Sequence, residues 1–587
     1  MDRAGAVPRG DRLSTISKHT YTATLLVDDG YPLAVQGGQI TMDEGWAPHV
    51  QAQLTIAMPE ETVLELLDPR DDVRVLVTAE SEFSDWNNQP LPATSRSFNL
   101  CLRSRIIRHE SAEVTLDLAS DEALLQDDVL VDDEPNRDAL AYQESLRSII
   151  DEVVLSRIGA HLEPGDADAP YRVLADATNL ITNPGAEVDL TGAVGTGVTL
   201  ARQVGSAPFG TAMFRLNPTG AADSYMEIGG SAGALRNGMQ AGRRYTASGT
   251  FMITSPMTGT AHARARRIVV FTRVGSGSYV ETASAQAPNV AGQYRLSVTF
   301  DVPVGATEAF IRWYHGHTAS VCYWDGLVLH EFTNEYDTDQ WDGDSVDTSE
   351  YAYAWTGTPG LSTTTRTAVI SRSADALQWE PGESSWSFVQ PLFQTAGFRL
   401  FCDDQRRWWL VDTSYIAPGF TQLSAGYNVI DPEDTISRDT DEWYDAVLVK
   451  YRWRDETGAQ QIAYDQALSP AYTKAIMIEV ERPYPGPGAA NYILRRAAGK
   501  GRTLDLGGVS NYAAQPTQPV TAILPASPIQ TGVVASVRWS FDDDEMRIGT
   551  RGLTDTPPTA YVFGPPGVSY LDVPPGISYE EFDWSVV

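Results

Sequence analysis

Asn179-Leu180-Ile181-Thr182-Asn183-Pro184-Gly185-Ala186-Glu187 opens, and Cys322-Tyr323-Trp324-Asp325-Gly326-Leu327-Val328-Leu329-His330 closes, the stretch whose reading decides the fold. Between them run short segments of alternating apolar and polar residues, divided by Gly, Ser, Pro and Asn. Alternation sends successive side chains to opposite faces of a strand, and turn residues at short intervals end each strand. The block therefore reads as one all-β sandwich. The flanks have a different texture and read as two parts of another body, into which the sandwich is inserted. Such insertion is tolerated where the termini of the inserted domain lie close together.

On the N-terminal side, residues 20–27, 39–42, 51–56, 73–77, 97–107 and 113–118 alternate like strands and form a barrel-sized set. Leu146, Ile149, Ile150, Val153, Val154 and Ile158 recur at helical spacing, which predicts a helix over 136–158 stopped by Gly159. An acidic Pro/Gly segment, 163–170, leads into the sandwich. On the C-terminal side, 331–365 is polar and turn-rich and reads as a return linker. Residues 384–397 predict a short helix closed by Gly397, 398–402 and 407–412 a hairpin, and 446–453 a strand paired with 460–464. A basic helix follows at 491–498, then a last hairpin from 533–541 and 545–548. Pro and Gly dominate beyond 550, where no fold is assigned. The fold class is mainly β with a few helices. The expected divisions are 1–130, 131–176, 177–332, 333–366, 367–550 and 551–587.

At 587 residues the chain has room for about four domains. Its 42% hydrophobic and 20% charged residues suit packed globular domains. The formal charge of -34 repels phosphate backbones and argues against sequence-specific nucleic-acid binding. Three widely spaced cysteines, Cys101, Cys322 and Cys402, give no disulfide framework and point to synthesis in a reducing cytoplasm. The first ten residues hold no signal-peptide-like apolar run, and no segment reaches the ~18 apolar residues of a membrane span.

The opening Asn-Leu-x-x-Asn-Pro-x-x-Glu at 179–187 and the closing Trp-Asp-Gly-Leu-x-Leu at 324–329 resemble the ends of carbohydrate-binding modules of families 4, 9 and 22, which are jelly rolls. The flanking stretches 100–125, 393–412 and 437–453 resemble the minor tail proteins of actinobacteriophages, in particular the tail hub of a siphophage. That resemblance implies a homotrimer of tail-hub β-barrel domains that closes the tail tube at the tip of the virion. Its partners would be the tail tube, distal tail and tape-measure proteins, other minor tail proteins, and a host cell-wall glycan met by the inserted module. Strand edges such as 73–77 would supply the heterologous contacts of the ring. The distal-tail ring of the baseplate is the alternative architecture. A tail-associated cell-wall hydrolase is the alternative activity; it needs paired carboxylates in a cleft or a metal triad, neither of which is plain in the sequence, so no enzymatic activity is expected.

A sugar site on a sandwich needs flat rings for pyranose faces and polar groups for hydroxyls. The candidate rings are Tyr225, Tyr245, Trp313, Tyr314, Tyr323 and Trp324. Adjacent rings on a strand send one inward and one outward, so one of each pair, 313/314 and 323/324, is expected in the core. Arg312, His315 and His317 are candidate donors to hydroxyls. Arg264, Arg266 and Arg267 read as part of a salt-bridged sheet face, with an anionic glycan as the sharper alternative. The module resemblance also implies a structural Ca2+ held by Glu187 and Asp325, although calcium takes roughly 6–8 oxygens and two carboxylates alone do not complete a site. Asp342-Gly343-Asp344 lacks the Glu that ends an EF-hand loop and reads as a turn. Gly229-Gly230-Ser231-Ala232-Gly233 has the spacing of a nucleophile elbow, but the residues after it are too few and too Gly-broken for the required helix, so it reads as a β-turn.

Overall fold

A computed structural model describes residues 16–27, 30–84, 90–229, 234–425, 428–437, 443–455, 458–497, 502–525 and 527–556. The chain folds as two compact units, one of residues 1–171, 379–482 and 487–587, the other of residues 172–378 and 483–486. The fold is mainly β in both.

In the first unit, alternation does what the sequence predicts. Along Val50–Ala57, the side chains of Val50, Ala52, Leu54 and Ile56 are buried. Leu54 and Ile56 face Leu116 and Val114 of the antiparallel strand Glu113–Ala119. On its other side Val35–Asp43 runs between Val50–Ala57 and Gln530–Ser540, pairing Ile40 with Trp539 and Met42 with Val537. Segments from near both ends of the sequence thus share one sheet. They also share one core, which holds Leu54, Phe98, Leu116, Val537, Trp539 and Ile548. Trp539 is fully buried and its indole N–H donates to the carbonyl of Asn511 at 3.1 Å. A ring of that size buries roughly 150–250 Å², or about 4–6 kcal/mol by area.

Among the described residues the large sheet does not close. Its strand order runs from Tyr31–Leu33 through Ile16–Leu25 and Arg74–Ser84 to Arg502–Val509 and Val429–Ile436. The expected barrel is therefore an open, 13-stranded sheet. Residues 73–77 are no edge either, because Arg74–Ser84 is paired on both sides, with Ile16–Leu25 and with Pro90–Arg108.

The helix expected over 136–158 is broken up. Leu146–Ser148 is α-helical, Ile149–Val154 is a π turn, Leu155–Ile158 is a 3-10 turn, and Gly159 ends it at φ 67°. The adjacent pairs Ile149–Ile150 and Val153–Val154 are all buried, and a wider turn keeps both pairs inward. Helix Ser385–Thr395 is capped by Ser384, whose hydroxyl accepts from the Ser387 N–H. Pro391 inside it cannot donate to the Ser387 carbonyl; Arg482 does so instead, at 2.7 Å. Strands Arg399–Cys402 and Trp408–Val411 form the expected hairpin. Strand Ala446–Arg454 pairs antiparallel with Gln460–Leu468 and parallel with Ala475–Val480. Helix Ala489–Ala497 packs on that sheet, with the carboxylate of Asp465 accepting the N–H groups of Gly488 and Ala490 at 3.0 and 2.8 Å.

The second unit contains a two-sheet sandwich. One sheet has the order Val198–Val204, Ala212–Pro218, Cys322–Glu331, Arg244–Ile253, Gly292–Asp301. The other has the order Val280–Ala283, Ile268–Val274, Ala306–Tyr314, Tyr225–Ile228, Ala193–Thr196. Phe214, Phe251, Ile311, Trp313, Trp324 and Leu327 fill the space between them. Residues 331–365 are not a bare linker. Tyr351–Trp355 pairs with Thr364–Ala368, which pairs with Ala177–Asn179, and Arg366 lies over the buried Trp341 while its guanidinium is bound to Asp337. The three cysteines are free and buried. Among the described residues no helix is long and apolar enough to cross a membrane.

Candidate glycan-binding face

The outer face of the second sheet is where the sandwich gathers its chemistry. On strand Ala306–Tyr314, Ile311 and Trp313 point into the core, so Phe310, Arg312 and Tyr314 point out. The register places Tyr225 opposite Tyr314, Val269 opposite Arg312, and Phe271 opposite Phe310. These outward aromatics, with Val269, form a second apolar cluster. Tyr225 and Tyr314 lie 5.2 Å apart by ring centroid, and Phe271 stacks on Phe310 at 5.1 Å.

Arginines roof this aromatic floor, and each is held by a carboxylate. The Arg312 guanidinium lies 4.0 Å from the Tyr225 ring centre and 4.8 Å from that of Phe271, and donates to Glu227 Oε1 at 2.7 Å. Arg236 covers Phe310 and donates to the other oxygen of Glu227 at 2.5 Å. Arg264 lies over Phe271 and is paired with Glu281; Arg273 lies over Tyr279 and is paired with Glu308. His262 stacks parallel to Tyr314. The face thus sets a lattice of ion-paired guanidinium groups over π surfaces, with Tyr279, 41% exposed, at its margin. Such a lattice can engage neighbouring hydroxyls through paired hydrogen bonds.

The six predicted rings do not form one site. Trp313 and Trp324 are core residues with no exposed surface, and Tyr245 is 3% exposed, its hydroxyl accepting from the Gln240 N–H. Tyr225 and Tyr314 do come together on the outer face, but Arg312 covers the first and His262 stacks on the second, leaving 7% and 0% exposed. None of these five has an open ring face for a pyranose. Tyr323 is half-buried on the opposite sheet, paired with Arg215 and Met252. His315 and His317 are buried as well. His315 Nε2 meets the Ser320 carbonyl at 2.9 Å, and His317 Nε2 accepts from Arg266 at 2.5 Å. Burial holds both imidazoles below their ordinary pKa, with Arg266 adding to the effect at His317. Of the basic cluster, Arg264 is salt-bridged on the sheet face, Arg266 caps the Ala287 carbonyl and Arg267 reaches that of Ser284.

Sequence reading missed Phe271, Phe310, Tyr279, Arg236, Glu227 and Glu308. The strand Ile268–Val274 reads Ile-Val-Val-Phe-Thr-Arg-Val, apolar on both sides. The uninterrupted apolar run over its first four residues, Ile268 to Phe271, is the mark of a strand covered on both faces.

Glu187 and Asp325 are brought together beside Gly185. A methyl group on Gly185 would meet Asp325 Oδ1 at 3.0 Å, Glu187 Oε1 at 3.5 Å and the Ala212 carbonyl at 3.8 Å. Three oxygens therefore converge on one glycine-lined nook. Burial, with repulsion from Glu187, pushes the Asp325 carboxyl up to about 7. Both carboxylates already accept backbone N–H groups, Asp325 from Phe209 and Gly326, Glu187 from Thr211 and Ala212. The described residues contain no group of three or more His, Cys, Asp or Glu side chains placed to hold a metal. Asp342 is a turn, its Oδ1 accepting from the Asp344 N–H at 2.9 Å. Of the elbow-like motif only Gly229 is among the described residues.

No family model matches the chain, and no curated protein does. Among solved structures, the chain is similar to the 43 kDa tail protein of prophage MuSo2 from Shewanella oneidensis, at 9% identity and TM-score 0.38, over 90% of this chain and 98% of that one. It is similar to a tail protein from Neisseria meningitidis MC58 at 8% identity and TM-score 0.35, over 90% and 96%. About a quarter of it aligns with the CBM22-1 xylan-binding domain of Paenibacillus barcinonensis Xyn10C, at 11% identity and TM-score 0.20, over 27% of this chain and 96% of that domain.

Proposed function

We propose that the chain is a structural, non-enzymatic component of a phage tail whose inserted sandwich binds a glycan of the host cell wall. The hub-like stretches at 100–125, 393–412 and 437–453 support the first part. The observation that carries the second is the outer sheet face, where Arg312 and Arg236 share Glu227 above Tyr225, Phe271 and Phe310. Polyols are recognised by fixed, coplanar donors and acceptors, and a preformed ion-pair lattice loses little side-chain entropy when it binds them. The finer reading is the tail-tip hub, a homotrimer whose three sandwiches act by avidity. Ca2+ in the nook of Glu187, Asp325 and the Ala212 carbonyl would neutralise two crowded carboxylates and pin the ends of the sandwich strands.

Purified host wall polysaccharide provides the test. Retention of the protein without release of soluble fragments is expected, and Arg312→Ala should weaken retention. Fragment release would overturn the binder reading in favour of a hydrolase, and undiminished retention by Arg312→Ala would move the site elsewhere. Light scattering should give three times the 64.0 kDa chain mass; a monomer would end the hub reading.

A further inference from the structure

A cavity of ≈ 300 Å³ in the first unit is lined by more cations than anions. Four arginines, Arg399, Arg495, Arg496 and Arg551, line it against two carboxylates, Glu44 and Asp412. Arg551 occupies both oxygens of Glu44. Arg496 reaches the Glu44 carbonyl at 2.8 Å and lies 4.0 Å from its carboxylate. Asp412 is turned into its own loop, accepting the N–H and hydroxyl of Ser414 at 2.8 and 2.7 Å.

Arg399 and Arg495 therefore have no carboxylate partner among the described residues. Among the described residues Arg495 donates to the Thr413 hydroxyl, at 3.4 Å. Arg399 meets His49 Nδ1 at 3.0 Å and lies over the Phe401 ring at 4.4 Å. Burial pushes the Arg399 guanidinium down to about 10, and the neighbouring Arg496 adds to the effect, while Glu44 and the buried Glu122 oppose it. Arg495 and Arg496 sit in the last turn of helix Ala489–Ala497, where cations complement the carbonyl end of the helix. Arg399 has no such reason, since it comes from a strand. In a chain of formal charge -34 with many spare carboxylates, the cavity gathers four guanidinium groups around two carboxylates.

We infer that this cavity is a binding site for a phosphate-class oxyanion, with Arg399 as its central ligand and Arg495 and Arg496 closing on either side. The planar guanidinium fork matches tetrahedral and carboxylate oxyanions through two parallel hydrogen bonds. Arg399 has no carboxylate within salt-bridge distance among the described residues, and a bound dianion would supply that direct pairing. Tyr492, whose hydroxyl already accepts from Arg496 at 3.3 Å, keeps its own proton for a ligand oxygen. The cavity is at the small end of ligand sites, which suits a free ion or a small monoester.

Isothermal titration of the full-length protein with inorganic phosphate, glycerol 3-phosphate and acetate tests this. Saturable phosphate binding at one site per chain is expected, and Arg399→Gln should weaken it roughly ten- to hundredfold. The exposed helix residue Arg495 supplies a second variant that leaves the fold alone; Arg495→Gln should weaken binding about two- to fivefold. Tighter binding of glycerol 3-phosphate would identify the ligand as a monoester, and tighter phosphate binding as the free ion; both support the site. Absence of saturable binding, acetate binding as well as phosphate, or full affinity in both variants would overturn it.

Discussion

Trp313→Ala distinguishes a packing residue from a binding residue on a single strand. Trp313 is fully buried against the inner face of the sandwich, where Gly249 makes room for it; a methyl at Gly249 would stand 3.4 Å from the indole nitrogen. Truncating a buried ring to alanine costs about 3–5 kcal/mol. For a unit of this size each kcal/mol lowers Tm by about 2–4 °C, so the sandwich should melt roughly 6–20 °C lower. Trp313→Phe is the control. The indole N–H has no acceptor, so phenylalanine keeps most of the packing and removes an unsatisfied donor; its loss should stay within about 1.5 kcal/mol. Circular dichroism melts give the stabilities, and retention on wall polysaccharide is then measured at a temperature where every variant is folded. Trp313→Ala should be retained like the parent, whereas Tyr279→Ala, on the exposed margin, should lose retention and keep its Tm. If Trp313→Ala melts normally but no longer binds, the ring is a sugar platform and the burial argument is wrong.

Gly249→Ala should also destabilise the sandwich, by about 1–3 kcal/mol, because the new methyl would stand 2.8 Å from Leu327 Cδ2 on the neighbouring strand; an unchanged melting curve would mean that the Leu327 side chain swings clear of it at no cost. Glu122 is fully buried, and desolvation raises its carboxyl from 4.5 to about 7 although it accepts N–H groups from Cys402 and His49 and the Ser120 hydroxyl. The folded state then holds its proton more tightly than the unfolded state, so this group's contribution is complete below about pH 4.5 and is lost as pH rises through about 7, a change of ~3 kcal/mol. Glu122→Gln should flatten the stability profile across that window, and an unaltered profile would show that the carboxyl titrates normally. Calcium at a hundredfold its Kd should stabilise the sandwich by about 2.7 kcal/mol over EDTA. Asp325→Asn should abolish that difference, and equal melts for the parent with and without calcium would remove the ion from the proposal.

The sequence disclosed elements wherever one face of a strand or helix met water. Val50–Ala57 alternates cleanly because Gln51, Gln53 and Thr55 are not buried, and the Ser384 cap and Gly397 stop bracket a helix whose apolar stripe is plain. It failed where both faces are covered. Nothing local distinguishes an inward from an outward ring on Ala306–Tyr314, since Trp313 and Tyr314 are equally buried by different partners, one by the opposing sheet and the other by side chains of its own sheet and the segments over it. The open sheet was read as a barrel for a related reason: strand count is local, but closure depends on whether the first and last strands pair, and here they end on Tyr31–Leu33 and Val429–Ile436. The proposed glycan face follows from the same logic. An aromatic patch exposed to water would be an aggregation liability, and one sealed by aliphatic residues could not be read by a ligand. Arginine is the side chain that lies flat on rings while presenting hydrogen-bond donors outward, and a carboxylate beside each one fixes its plane. In the proposed face Arg312 is the arginine that keeps surface over Tyr225 and Phe271, while Arg236, buried on Phe310, fixes the carboxylate of Glu227 that both share.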